Sequence, residues 1–168
     1  TKMVFLQRSR GYAWRNPITV EDIEKTVGFV KRIKNDIVVM VDNCYGEFTG
    51  EREPVEAGAD IIAGSLIKNP GGGLALSGGY VAGRKDLVEQ ASYRMTVPGL
   101  GREVGATLGQ NRALFQGLFM APHIVAQSLK GAAFAAALLE SLGYETCPAF
   151  DQERSDIIQA IRLNSPEA

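Results

Sequence analysis

Two short apolar runs, "DIVVMVD" at 36–42 and "ADIIAGSLI" at 59–67, constrain the fold of this chain more than any other feature. Both carry β-branched residues and lack the polar alternation of a strand with one wet face, so each reads as a strand covered on both sides. Such strands belong to parallel sheets, whose crossovers need helices. Thr19 opens a helical pattern as N-cap, with Glu21, Asp22 and Glu24 in the first turn, where negative charge suits the helix dipole. Val20, Ile23, Val27, Val30 and Ile33 then recur on one face. A strand at 2–7 precedes this helix, and "GGYVAG" at 78–83 followed by "KDLVEQASYRM" adds a strand and a helix. The expected fold is α/β, a mostly parallel sheet flanked by helices.

From about residue 101 the pattern changes to two long helices, "EVGATLGQNRALFQGLFM" and "HIVAQSLKGAAFAAALLESLG", parted at Pro122. "YETCPAF" and "SDIIQAIRL" then read as strands of a smaller α+β unit. Residues 1–142 are expected to be part of a large domain with its connecting helices, and 143–168 the start of a C-terminal small domain. The first residue is not Met and both ends read as strands inside a larger unit, so a piece of a longer protein is expected.

Composition narrows the function classes. A net charge of −1 and a pI near 5.9 leave no basic footprint for nucleic acid. The most apolar run, "GAAFAAALL" at 131–139, is bounded by Lys130 and Glu140 and is too short for a membrane span, so it reads as a buried helix. Cys44 and Cys147 give neither a disulfide framework nor a metal-ligand spacing, which fits a reducing, cytoplasmic setting. His123 is the single histidine and reads as a helix-start capping or packing residue, leaving no Ser–His–Asp triad and no zinc site.

The chemistry lies where the apolar strands end. In "DIIAGSLIKNPGGG" at 60–73 a buried run passes Ser65 to Lys68 and then a glycine-rich turn. A Walker loop puts its lysine after the glycines, at a helix start, so that match fails. "GLGREVG" at 99–105 misses the dinucleotide fingerprint by one residue of spacing and follows a helix. Gly71, Gly72 and Gly73 have a plainer reading as a tight turn needing positive φ, and Lys68 one as a surface lysine. Yet Lys68 sits at the carboxyl end of a strand, where open α/β sheets bind ligands, and a lysine placed there can lose its proton and form Schiff bases.

The other strand ends Asp42-x-x-Tyr45. A carboxylate at the end of a buried strand is costly unless it meets a cation. A protonated pyridine nitrogen of pyridoxal phosphate is one such cation, with Tyr45 in reach of the ring hydroxyl and Ser65 of the phosphate. A turn or capping aspartate is the plainer reading of Asp42. Cys44 beside it reads either as a reactive thiol or as a small buried hydrophobe. "GEREPVE" at 50–56 reads as a charged, solvated turn, with Glu47 and Glu51 close enough in sequence to reach the site.

The order Asp-x-x-Tyr then Ser-x-x-Lys resembles the large domain of fold-type I pyridoxal phosphate enzymes. More closely, "QRSRGYAWR", "VDNCYGEFTGEREPVEAGADIIAGSLIKNPGGG" and "PGLGREVGATLG" resemble the methionine gamma-lyase family of cystathionine beta-lyase-like proteins linked by name to aluminium resistance. The resemblance implies a carbon–sulfur lyase acting on sulfur amino acids by α,β- or α,γ-elimination, with transamination, decarboxylation or a non-catalytic dimeric module as the rivals. It makes Lys68 the lysine of the internal aldimine, Asp42 the partner of the pyridine nitrogen and Tyr45 the partner of the ring hydroxyl. Ser65 would contact the phosphate, joined by backbone groups of the turn from Asn69 through Gly71 to Gly73. Ser9, Arg10 and Tyr12 are candidates near ring and substrate, while Arg8 and Arg10 read equally as loop charges. It further implies a homodimer or tetramer with sites shared between subunits, an amino-acid substrate, and no nucleic-acid or membrane partner. The substrate-carboxylate arginine and the ring-stacking residue are not identifiable in this stretch.

Overall fold

The computed structural model describes residues 1–103, 105 and 108–165. Four strands, β1 (Met3–Gln7), β2 (Val38–Asp42), β3 (Ile61–Ser65) and β4 (Gly79–Gly83), form one sheet in the order β1-β2-β3-β4. The first three run parallel, in the register Leu6↔Val41 and Val41↔Ile62, and β4 closes the sheet antiparallel with Ala63↔Val81. The fold is therefore α/β with a mostly parallel sheet.

Helix α1 (Val20–Ile33) crosses from β1 to β2. Thr19 caps it by accepting the Asp22 N–H at 3.0 Å, Glu21 and Asp22 lie in its first turn, and Lys31 and Arg32 in its last. Val20, Ile23, Val27 and Val30 pack on Val39, Val41 and Ile62 to make the core. Full burial of a side chain such as Ile23 is worth roughly 2–3 kcal/mol. Ile33, expected on the buried face, is instead 67% exposed at the last position of α1.

The expectation of strands covered on both faces concerns β2 and β3. Val39 and Val41 of β2 are fully buried under α1, while Val38, Met40 and Asp42 on its other face are half-buried. On β3 the consecutive Ile61 and Ile62, which point to opposite faces, are both buried. The edge strand β1 leaves Met3 and Phe5 exposed.

After α2 (Lys85–Ser92) comes α3 (Asn111–Ser141), a single helix where two were expected. It runs straight through Pro122. A proline there removes one intrahelical bond, to the carbonyl of Leu118. Pro122 and Leu118 are both exposed, so that carbonyl faces solvent, and His123 lies inside the helix rather than at its start. The apolar stretch 131–139, expected to be buried, has only Ala136 fully buried, and Phe134 is 69% exposed. Positions 104, 106 and 107 of the first expected helix lie outside the described residues, and 108–110 are not helical.

Strands β5 (Glu145–Cys147) and β6 (Ala160–Arg162) make a separate two-stranded antiparallel sheet, shorter than the patterns at 144–150 and 155–163. Asp156, fully buried, ties this unit to the main sheet. Its Oδ2 accepts the Ser9 hydroxyl at 2.8 Å and the Arg10 N–H at 3.0 Å. Among the described residues no helix is long and apolar enough to cross a membrane.

Candidate active site

The carboxyl ends of the parallel strands put the predicted residues side by side. Asp42 closes β2, Ser65 closes β3, and Lys68 follows three residues later at the start of a 3-10 turn, Asn69–Gly71. Parallel register makes this happen: Asp42 pairs with Ala63, two residues before Ser65. The Lys68 Nζ lies 4.3 Å from the centre of the Tyr45 ring, so cation and aromatic face are in contact.

Tyr45 reaches that position only through an unusual backbone. Its φ is +68°, and Phe48 in the same loop has φ +61°. Left-handed conformations cost a bulky residue of order 1–3 kcal/mol and persist where neighbours over-determine them. Here the neighbours are explicit. Asn43 N–H donates to Ala63, Gly46 N–H to Asn43, Ile157 N–H to the Tyr45 carbonyl and Phe48 N–H to Glu53.

Asp42 Oδ1 accepts the Cys44 N–H at 3.0 Å, and among the described residues Asp42 has no ion pair. It opens on a shallow cleft whose other walls are Phe5, Met40, Cys44, Ala63, Gly64 and Ser65. The Cys44 thiol lies between Asp42 and Lys68. Burial and Asp42 push the thiol's pKa up, and Lys68 offsets this only in part. Burial pulls Lys68 down, but contact with Cys44 and the charges of Cys44, Tyr45 and Asp42 outweigh it, leaving the ammonium above its ordinary value. In this arrangement contact with Cys44, more than the Asp42 charge, favours the positive form of Lys68.

The donor set suits a flat cationic ring that carries an aldehyde: a carboxylate outside any ion pair among the described residues and apolar walls in the Asp42 cleft, with the Lys68 amine lining a neighbouring hollow beside Tyr45. Ser65 Oγ accepts the Ile67 N–H at 3.3 Å, and its O–H has no acceptor among the described residues. Asn69 and Gly71 are placed differently. The Asn69 side chain is buried and donates to the Glu47 carbonyl at 2.9 Å. The Gly71 and Gly72 N–H groups close the turn on the Lys68 and Asn69 carbonyls. The glycines serve packing: a Cβ on Gly71 would stand 1.8 Å from the Leu66 carbonyl oxygen, and one on Gly72 would stand 2.4 Å from that of Gly117 in α3.

The sequence profile of methionine gamma-lyase matches residues 1–168. The chain belongs to the methionine gamma-lyase family. The uncharacterized Bacillus subtilis protein YnbB is 52% identical over 167 residues, covering 99% of this chain and 40% of that protein. A Listeria innocua crystal structure, provisionally named a cystathionine beta-lyase involved in aluminum resistance, is 56% identical with a TM-score of 0.95, covering 98% of this chain and 40% of that one. A Clostridium novyi structure named a carbon-sulfur lyase involved in aluminum resistance is 52% identical with a TM-score of 0.93, covering 99% and 39%. The chain therefore spans about 40% of the length of these three relatives.

Within this methionine gamma-lyase family fold, several residues serve the site that sequence reasoning did not place there. Ile124, Val125 and Ser128 of α3, with Ile157, line the side of Lys68 away from Asp42. Arg8 is not a loop charge; it is 1% exposed, with Nη1 bonded to Asn43 at 2.8 Å and Glu53 at 3.2 Å. Glu53 thus turns inward from the supposedly solvated turn, as Glu47 also does, while Glu51 stays exposed. Arg10 is buried too, with Nη1 on the Cys147 carbonyl at 2.5 Å, Ser9 is held by Asp156, and Tyr12 is fully exposed. The signal for Arg8 was Gly46, where a Cβ would stand 2.5 Å from the Arg8 Cδ.

Proposed function

We propose that this chain forms the lysine-bearing part of a pyridoxal phosphate-dependent carbon–sulfur lyase acting on sulfur amino acids. The observation that supports it is the grouping at the ends of β2 and β3 of two neighbouring hollows, one holding Asp42, Cys44 and Ser65 and the other Tyr45 and Lys68, with the Asp42 carboxylate outside any ion pair among the described residues. Lys68 Nζ would hold the cofactor's aldehyde carbon, Asp42 its ring nitrogen, Tyr45 its ring hydroxyl and Ser65 its phosphate. Asn69 and Gly71 contribute by shaping the turn that carries Lys68.

Pyridoxal phosphate, when bound, supplies an electron sink for the pair left as an amino acid loses its α-proton. The protein's part is positional and protic. Asp42 keeps a negative charge at the cleft floor, where a protonated ring nitrogen is stabilised. Lys68, when its amine is free and neutral, would be the group to take the α-proton and to return it. Ile124, Val125 and Ile157 give that side of the amine a largely apolar lining. The net reaction would consume one water: the thiol leaves from the β or γ carbon with a proton, and hydrolysis of the remaining imine gives ammonia and a 2-keto acid.

The test uses the whole protein supplied with pyridoxal phosphate and offered L-methionine and L-cystathionine. Release of a free thiol together with a 2-keto acid is expected, abolished in Lys68→Ala. Conversion to a keto acid with no thiol, and with the amino group left on the cofactor, would point to transamination instead.

A further inference from the structure

A chain of buried polar groups runs beneath the proposed site and joins all four strands. Arg8, just past β1, bonds Asn43 and Glu53; Asn43, just past β2, donates to Glu53 at 2.9 Å and to the Tyr80 hydroxyl of β4 at 3.2 Å; Tyr80 donates to Glu47 Oε1 at 2.8 Å. Glu47 is 3% exposed and lies against β3 at Gly64, where a Cβ would stand 2.5 Å from Oε1. Its backbone carbonyl holds Asn69, the residue after Lys68, and its neighbours Tyr45 and Phe48 carry the left-handed backbone of the loop. Glu47 therefore touches both segments that build the site, the loop bearing Tyr45 and the turn bearing Lys68.

The charges in this chain balance without Glu47. The charged groups facing it are Arg8 and Glu53, which pair with each other, and the third titratable neighbour is Tyr80, whose hydroxyl is held protonated chiefly by burial. Glu47 Oε2 is buried and has no partner among the described residues. An ionised carboxylate there would be an uncompensated buried charge. Burial accordingly drives its pKa up to about 7, against the pull of its backbone bond, Tyr80 and Arg8.

We propose that Glu47 is a positioning residue for the Lys68 site, holding the Tyr45 loop and the Lys68 turn in register through a neutral, protonated side chain. The functional consequence rests on Lys68 being the cofactor-bearing lysine; the structural one does not. Raising the pH through neutrality ionises Glu47, loosens the loop and turn together, and gives the site an alkaline limb that originates outside the cofactor cleft.

The test is hydrogen exchange of the cofactor-free whole protein at pH 6 and pH 8, corrected for intrinsic rates, in peptides covering 43–49 and 66–73. Linkage of a carboxyl at about 7 in the closed form and 4.5 in the open form gives about ten-fold more opening at pH 8 than at pH 6. Glu47→Gln, neutral at both pH values, should show no such rise, while Glu47→Ala should be open at both. Affinity for pyridoxal phosphate, read by absorbance, should fall with pH more steeply in the wild type than in Glu47→Gln. Superimposable exchange in wild type and Glu47→Gln, or Glu47→Gln as open as Glu47→Ala, would overturn the proposal. If the exchange difference is present but borohydride finds no pyridoxal phosphate on Lys68, the brace holds and the cofactor reading is what fails.

Discussion

Gly117→Ala is the perturbation that best separates packing from helix propensity at this site. Gly117 lies inside α3, where alanine in place of glycine is worth about 1 kcal/mol in favour of the helix. Against that, its Cβ would stand 2.1 Å from the Gly71 carbonyl oxygen, more than an ångström inside ordinary contact, and the obstacle is backbone of the Lys68 turn rather than a flexible side chain. Overpacking of that kind costs about 1–3 kcal/mol, and a rigid obstacle on both sides points to the upper end. The net expectation is a loss of about 2 kcal/mol, because the clash outweighs the propensity gain. Gly131 in the same helix is the control: it has nothing within 4 Å of its Cβ position, so Gly131→Ala should stabilise by up to about 1 kcal/mol. Urea unfolding of the whole protein and both variants reads the two signs directly. An unchanged or raised midpoint for Gly117→Ala would refute the close packing of α3 on the turn, and with it the account of why the glycines follow Lys68.

Three other outcomes follow from the same geometry. Asp60 is buried against Lys31 and the Val39 N–H, both at 2.7 Å, and Arg84 at 3.1 Å; although burial pushes its carboxyl up, these partners hold it below its ordinary value. Its contribution is therefore present above about pH 4 and lost as pH falls through the depressed value, so Asp60→Ala should cost about 3 kcal/mol at pH 7 and progressively less in acid melts. Ile23→Ala, at a position with no exposure at the centre of the α1–sheet core, should cost about 3 kcal/mol in the same denaturation assay, with little change if the core were elsewhere. Tyr45→Gly relieves the left-handed backbone but removes the ring against Lys68; cofactor affinity by absorbance titration should fall while loop stability by hydrogen exchange does not.

The strand ends were readable because burial on a parallel sheet leaves a local signature, and Asp42 and Lys68 stand where "DIVVMVD" and "ADIIAGSLI" run out. The pattern of α1 was equally local: a cap, an acidic first turn and a 3.6-residue stripe. What escaped reading was set by tertiary contact. Proline weakens a helix and so reads as a break at 122, but Pro122 is exposed and α3 continues through it. Arg8 and Glu53 carry the residue types of solvated loops, and only the pairing of β1 with β2 shows that they meet in the interior. Gly46, Gly64, Gly71 and Gly117 mark the places where another group needs the room of a side chain, yet which group it is depends on the fold.

The central claim is that Lys68 carries the cofactor, and one measurement meets it directly. The whole protein, purified with pyridoxal phosphate and reduced with borohydride, retains a pyridoxyl group on whichever nitrogen held the aldehyde, and peptide mass spectrometry locates it. The account predicts the label on Lys68, lost in Lys68→Ala. A label on another lysine, or on none, would contradict it.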